Sequence, residues 1–344
     1  MDRRLTPPRL WPSFAQDREE TRVIGSTLSR RQITGLIAAA GAFAAVPAFA
    51  QRFPDAPPDD ADSGAPSAQV PTGSDRSSHV TAPVSINGQG PYQFVVDTGA
   101  NRSCLSQRLA QKLELPPGPV AAVNTLAGRR LRPTVAIERL QVGPRSQRRI
   151  HAPLLPLDDD VDGVLAIDWL KGQRLVLGFQ GRRLEITASR REAPRPNRVV
   201  APARRRHGQL TIVDADLGGA RINAMVDSGA QVSLGNAALR AAFPRSELER
   251  ARSERVMLES IAGERFSGDL LYLPFLRLGG LRLGNVPVVF AQTHVFALWG
   301  LADAPTLILG LDLLTQFTEV AVDFGRSTVR FDFTGGQAPE SMQP

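Results

Sequence analysis

The chain has 344 residues, 42% hydrophobic and 22% charged, with 30 Gly, 27 Pro and a single Cys. That length can bury a core without staples, and one cysteine excludes an intramolecular disulfide framework or a cysteine-based zinc site. The net charge of +7 is unevenly placed: seven Arg lie in residues 1–50 and nine more in residues 182–206. No aromatic side chain is interleaved with the second group, which excludes a nucleic-acid stripe as its explanation.

In chain order, Ser29-Arg30-Arg31-Gln32-Ile33-Thr34 precedes an apolar, Ala-rich run that ends Ala48-Phe49-Ala50-Gln51. Paired arginines, a hydrophobic region and an A-x-A site make residues 1–50 a secretory signal that resembles the Tat type. The folded part is therefore expected in the periplasm or cell envelope, membrane-anchored only if the signal is not cleaved. Ile33 to Ala50 is the single apolar stretch approaching spanning length, which excludes a polytopic membrane protein. Residues 51–78 hold five Pro and five Asp with no periodicity, and predict a disordered spacer or propeptide.

From residue 79 the chain repeats itself. Phe94-Val-Val-Asp-Thr-Gly-Ala-Asn-Arg-Ser103 recurs as Ala224-Met-Val-Asp-Ser-Gly-Ala-Gln-Val-Ser233. A short helix-like piece follows each copy, Gln107–Leu113 and Ala237–Phe243. Thr125-Leu-Ala-Gly128 then matches Ser260-Ile-Ala-Gly263, and Gly163-Val-Leu-Ala-Ile-Asp-Trp-Leu170 matches Leu307-Ile-Leu-Gly-Leu-Asp-Leu-Leu314. Both halves close with alternating strands around a turn, Leu175–Ile186 and Val320–Phe331. Short β-branched and aliphatic runs separated by Gly and Pro, with turn signals such as Asn87-Gly88, predict an all-β fold. The halves are expected at 79–188 and 209–335, joined by a solvated Arg/Pro-rich linker at 189–208 and followed by a tail at 336–344.

In each half an apolar strand runs into Asp-Thr/Ser-Gly. The glycine permits a tight turn and close approach by another backbone, and the small hydroxyl can bond across to an opposing loop. With these motifs duplicated, the chain resembles the aspartic proteases, in particular the retropepsin-like branch, over about residues 79–333. The matching residues are Asp97-Thr-Gly-Ala100 with Val164-Leu165-Ala166, and Asp227-Ser-Gly-Ala230 with Ile308-Leu309-Gly310. The resemblance implies two pseudo-twofold-related β-barrels fused in one chain, so a monomer, with a cleft between them. It implies Asp97 and Asp227 as the catalytic pair, supported by Thr98, Gly99, Ser228 and Gly229, and flap tips near Ala127, Gly128, Ala262 and Gly263.

The implied activity is an endopeptidase acting on protein or peptide substrates through water activated between two aspartates, with no metal and no cofactor. The alternative is a catalytically inactive protease-fold module that binds proteins in the cell envelope. Ala100 and Ala230 stand where pepsin-like relatives usually carry a hydroxyl, which predicts a mildly acidic to near-neutral working pH. Ala166 departs from the glycine usual at its position. Other chemistries lack residues: the four histidines have no metal-ligand spacing, and there is no G-x-S-x-G elbow. Cys104 reads as a small buried residue, and Asp168 and Asp312 as structural hydrogen-bond acceptors. Asp158-Asp-Asp-Val-Asp162 reads as a solvated loop, lacking the spacing of a calcium loop.

Overall fold

The computed structural model describes residues 66–334 apart from short segments at 76–77, 126–127, 171, 207–208, 213–214, 218–219, 245, 247 and 249–252. The expected signal at 1–50 and tail at 336–344 lie outside the described residues, as does Ala127 of the expected flap tips.

The first lobe begins with a hairpin of Val80–Ile86 and Gln89–Val96. Its turn is Asn87-Gly88, with φ of 51° and 83°, the left-handed pair that a two-residue hairpin requires. Val80–Ile86 also pairs with Gly128–Val142 through Ser85 and Gln141, so the eight-stranded sheet curls back on itself. In the second lobe the equivalent described residues make two pairings. Gln209–Ile212 pairs with Asn223–Val226, while Ala215–Leu217 pairs with Arg265–Leu278. Ala82, Val84, Ile86, Phe94 and Ile137 fill the first barrel, and Leu276, Leu278, Val286, Val288 and Leu307 the second.

Each lobe threads one strand between two others. Gly163–Leu165 runs parallel to Phe94–Val96 and antiparallel to Cys104–Leu105, and Thr306–Leu309 does the same with Asn223–Val226 and Leu234–Gly235. A strand hydrogen-bonded on both sides and buried on both faces must be apolar throughout, which accounts for the runs before each Asp-Thr/Ser-Gly. Each helix after the motif is capped locally: the Ser106 hydroxyl accepts from Leu109 N at 3.1 Å, and Asn236 Oδ1 from Leu239 N at 2.8 Å.

The closing hairpins of the two halves lie side by side, with Gln173–Gly178 antiparallel to Glu319–Asp323. Two expectations are corrected at the edges of this shared sheet. Residues 68–74 belong to the fold, not to the spacer: Ala68–Pro71 pairs with Arg183–Ala188 and buries Ala68 and Val70. The second half of the expected linker is also ordered, since Arg198–Arg206 pairs with Thr328–Asp332 and Gln209–Ile212. An Arg/Pro-rich segment can form a strand here because distant carboxylates neutralise it. Arg198 donates to both oxygens of Asp332 at 2.7 and 2.8 Å. Glu192 accepts from Arg174, from Arg198 at 3.2 Å and from Arg330 at 3.1 Å.

The Arg174 side chain is only 1% exposed and that of Glu192 only 9%. Breaking a buried pair leaves an uncompensated charge, which is more destabilising than the pair is stabilising. Glu192→Gln is therefore expected to lose about 3 kcal/mol of stability, measured by urea denaturation at neutral pH. A loss within 0.5 kcal/mol, the scale of an ordinary surface substitution, would refute the neutralising role.

Candidate active site

The Phe94–Val96 and Asn223–Val226 strands end at the junction between the lobes. Asp97 N donates to Leu165 O and Asp227 N to Leu309 O, both at 3.0 Å, so the threaded strand of each lobe holds its aspartate in place. Each chain then turns at glycine. A Cβ on Gly99 would lie 2.3 Å from Asp227 Oδ2, and a Cβ on Gly229 would lie 2.3 Å from Asp97 Cγ. Each aspartate thus packs on the glycine of the opposite lobe. Residues 97 and 227, far apart in sequence, have carboxyl groups in hydrogen-bonding contact.

Beneath them Thr98 and Ser228 are fully buried and interlock. Thr98 Oγ1 donates to Val226 O at 2.9 Å and accepts from Ser228 N at 3.0 Å. Ser228 Oγ donates to Val96 O at 2.7 Å and accepts from Thr98 N at 3.2 Å. The two hydroxyls therefore satisfy buried backbone groups of the opposing lobe, and Asp-Thr/Ser-Gly reads as one device for joining two loops.

The carboxyl groups are not equivalent. Asp97 Oδ1 accepts from Gly99 N at 2.8 Å and Ala100 N at 2.9 Å. Asp227 Oδ1 accepts from Gly229 N at 2.9 Å, whereas Ala230 N turns to the Asp227 main-chain oxygen at 3.3 Å. Burial pushes both carboxyls above the ordinary value of 3.8. Asp227 is pushed further, because the charge of Asp97 adds to its burial. Contact with Asp227, the two backbone donors and the charge of His79 all favour ionised Asp97.

Asp168 and Asp312 brace the same loops. Asp168 accepts from Ser103 N at 2.9 Å and Ser103 Oγ at 2.6 Å, while that oxygen accepts from Ala166 N at 3.0 Å. Ser233, Asp312 and Gly310 repeat the arrangement at 3.0, 2.7 and 3.0 Å. The departure at Ala166 has a geometric counterpart. A Cβ on Gly310 would lie 2.5 Å from the Val232 carbonyl carbon. In the first lobe, Ile167 N stands 3.2 Å from Ala100 O, against 2.8 Å from Leu311 N to Ala230 O in the second. The first loop is therefore held less closely at this bond than the second.

Each lobe carries a long hairpin: Pro117–Thr125 with Gly128–Val142, and Glu254–Glu259 with Arg265–Leu278. Gly128 lies at the first tip, and Ala262 and Gly263 at the second. Ser260 Oγ accepts from Ala262 N and Glu264 N, each at 3.2 Å, closing the second tip. The tips touch, as Thr125 Oγ1 donates to Glu264 Oε1 at 2.8 Å. Ile261, Val123 and Ala100 each pack against the buried cluster of Cys104, Leu155 and Val164. That thiol is buried, and burial pushes its pKa up, with the charges of Asp97 and Asp168 adding to the effect. Asp162 proves structural, accepting from Gln93 N at 2.9 Å and pairing with Arg108 at 3.1 Å.

Two neighbours of the aspartates escaped the sequence reading. Thr81 pairs with Val95 and Thr211 with Met225. Two residues back along those antiparallel registers, His79 falls opposite Asp97 and Gln209 opposite Asp227. Gln209 Nε2 crosses to the first lobe, donating to Gly99 O at 2.9 Å and Asn101 Oδ1 at 3.1 Å. His79 is held by buried Asp75, through Nδ1 at 2.7 Å and the backbone N at 2.8 Å. The offset that relates Asp97 to Asp227 also relates His79 to Gln209, but the two residues differ in kind, so the repeat carries no signal of them.

A family model described as aspartyl protease matches residues 82–169 and 213–313. Comparison with curated proteins gives no match. The two matched segments are the two halves of the repeat, each carrying one Asp-Thr/Ser-Gly loop and the threaded strand behind it. The chain belongs to the aspartyl protease family, with two retropepsin-like halves fused in one polypeptide.

Proposed function

We propose that the protein is an exported endopeptidase that hydrolyses peptide bonds with water activated between Asp97 and Asp227. The observation that carries this reading is the contact of the two carboxyl groups across the lobe junction, each packed on the other lobe's glycine. Two like charges at such range cannot both persist, so the pair shares one proton. The donation of Ala100 N to Asp97, together with the charge of Asp97 acting on buried Asp227, favours the proton on Asp227 and the charge on Asp97. Asp97 then takes a proton from water as it attacks the peptide carbonyl, and Asp227 gives its proton to the carbonyl oxygen. Collapse of the tetrahedral intermediate returns a proton to the leaving amine.

Both lobes are supplied by one chain, so a monomer suffices. The pairing of Arg30 and Arg31 with the Ala48-Phe49-Ala50 site supports export to the periplasm or cell envelope. Cleavage of an unfolded protein by wild type, set against Asp97→Asn and Asp227→Asn, tests the activity. Equal behaviour of all three would end the enzyme reading in favour of a binding module.

The pH profile gives a second check. Activity requires one proton on the pair, so the acid limb follows ionisation of Asp97 and the alkaline limb loss of the Asp227 proton. Both carboxyls lie above the ordinary 3.8, and Ala100 and Ala230 offer no hydroxyl to draw them down. The optimum is expected to be mildly acidic to near neutral. A kcat/KM maximum at about pH 2, the range of a dyad stabilised in its charged form, would contradict the assignment.

A further inference from the structure

The two halves of the cleft carry different chemistry. On the first hairpin, Val123 faces the site, since it packs against the Cys104, Leu155 and Val164 cluster on which Ala100 and Ile261 of the opposite tip also pack. Residues directly opposite on paired strands share a face. Arg130 is opposite Val123, and Arg132 is opposite Ala121. Leu131, between them, is 73% exposed on the outer face, which fixes the two arginines on the inner one. Arg102 joins them from the loop after Asp97, with Nη2 donating to His151 O at 2.8 Å.

Among the described residues, none of the three arginines is ion-paired, and Arg132 Nε is buried without a hydrogen-bond partner. Glu264, the carboxylate that reaches this hairpin, already accepts from Thr125 at 2.8 Å. A buried guanidinium N–H with no acceptor is an incomplete site.

The second lobe answers with apolar groups. The repeat sets Val232 in the place of Arg102. On the second hairpin Val256 and Leu258 pack against the same buried cluster, around Leu234 and Ile308, as Ala230 and Val232, and the residue paired with Leu258 is Phe266. Thus the first lobe offers three cations to a bound strand and the second offers aliphatic and aromatic surface.

We propose that Arg102, Arg130 and Arg132 make the first-lobe half of the cleft select peptide segments bearing Asp or Glu, while the second-lobe half takes apolar side chains. This rests on the endopeptidase reading for its substrate but not for its measurement. A carboxylate on the peptide would supply the acceptor Arg132 lacks, and charge-assisted bonds are the strong kind.

The test uses two peptide pools identical except that one carries Glu where the other carries Gln, at each position around a central apolar pair. Wild type is assayed for kcat/KM, and the full chain with Asp97→Asn for affinity by fluorescence anisotropy. The expected result is a preference for the Glu pool of about ten-fold in both measurements, the scale of one hydrogen bond to a charged group. The preference is expected to fall with added salt and to vanish in Arg130→Gln with Arg132→Gln; Arg130→Gln alone, at an exposed position, keeps the test free of folding effects. Equal binding of the two pools would overturn the proposal. Unequal binding without any cleavage would uphold it while removing the endopeptidase reading.

Discussion

Asp97→Asn and Asp227→Asn are each expected to lower kcat/KM on an unfolded protein by about a thousand-fold, the scale of lost general acid–base catalysis. The amide keeps the shape of the carboxyl group and so leaves the packing on Gly99 and Gly229 undisturbed. It can neither take the water proton nor share one. The two variants should differ in stability. Burial and the neighbouring charge raise the folded-state pKa of Asp227 above its ordinary 3.8. A raised acid contributes stability that is full below the unfolded value and is lost as pH rises through the folded one.

Wild-type Tm is therefore expected to fall from about pH 4 upward. Asp227→Asn, which carries no charge at any pH, should flatten that slope and melt higher than wild type at neutral pH. Thermal melts between pH 4 and 8 check this. Asp227→Asn melting lower than wild type at neutral pH would show that the pair is not electrostatically frustrated.

Gly99→Ala and Gly229→Ala are expected to abolish activity as completely as loss of an aspartate, without touching either carboxylate chemically. A methyl at Gly99 would stand 2.3 Å from Asp227 Oδ2, and one at Gly229 would stand 2.5 Å from both Asp97 oxygens. Neither contact can be relieved by rotating a flexible tip, because the carboxylates are held by backbone donors and the loops by the Thr98–Ser228 interlock. The lobes must separate, breaking both the shared proton and the interlock. Overpacking of this kind destabilises by about 1–3 kcal/mol, so the variants should remain folded at 25 °C. Their signature is lost kcat with a Tm lowered by several degrees, the shift that such a loss produces in a domain of this size. Gly128→Ala, where nothing lies within 4 Å of the added methyl, is the control; its φ of 128° strains the hairpin tip but leaves the pair untouched.

The dyad was legible because each aspartate ends an apolar strand and begins a glycine turn, twice, in one frame. The same repetition marked Asp168 and Asp312 as braces rather than reactive groups. His79 and Gln209 were not legible in this way. They bear no motif, and their nearness to the aspartates comes from strand register, a property of pairing between segments. The linker failed for a related reason: Arg198–Arg206 looks solvated by composition, and it becomes a strand paired on both sides, with Asp332 of the neighbouring strand meeting Arg198.

Local rules and internal repetition settled the β class, the two halves, the short helix after each motif and which two aspartates meet across the junction. These follow from short-range properties: the apolar character of a strand buried on both faces, the left-handed φ of Asn87-Gly88 and the close approach that glycine permits. How the donors to the two carboxyl groups differ, which groups brace each loop, and which residues fall beside Arg130 and Arg132 all depend on the three-dimensional arrangement. Each of these depends on groups that meet only when distant segments fold together, through distances of a few ångströms that a linear pattern does not encode.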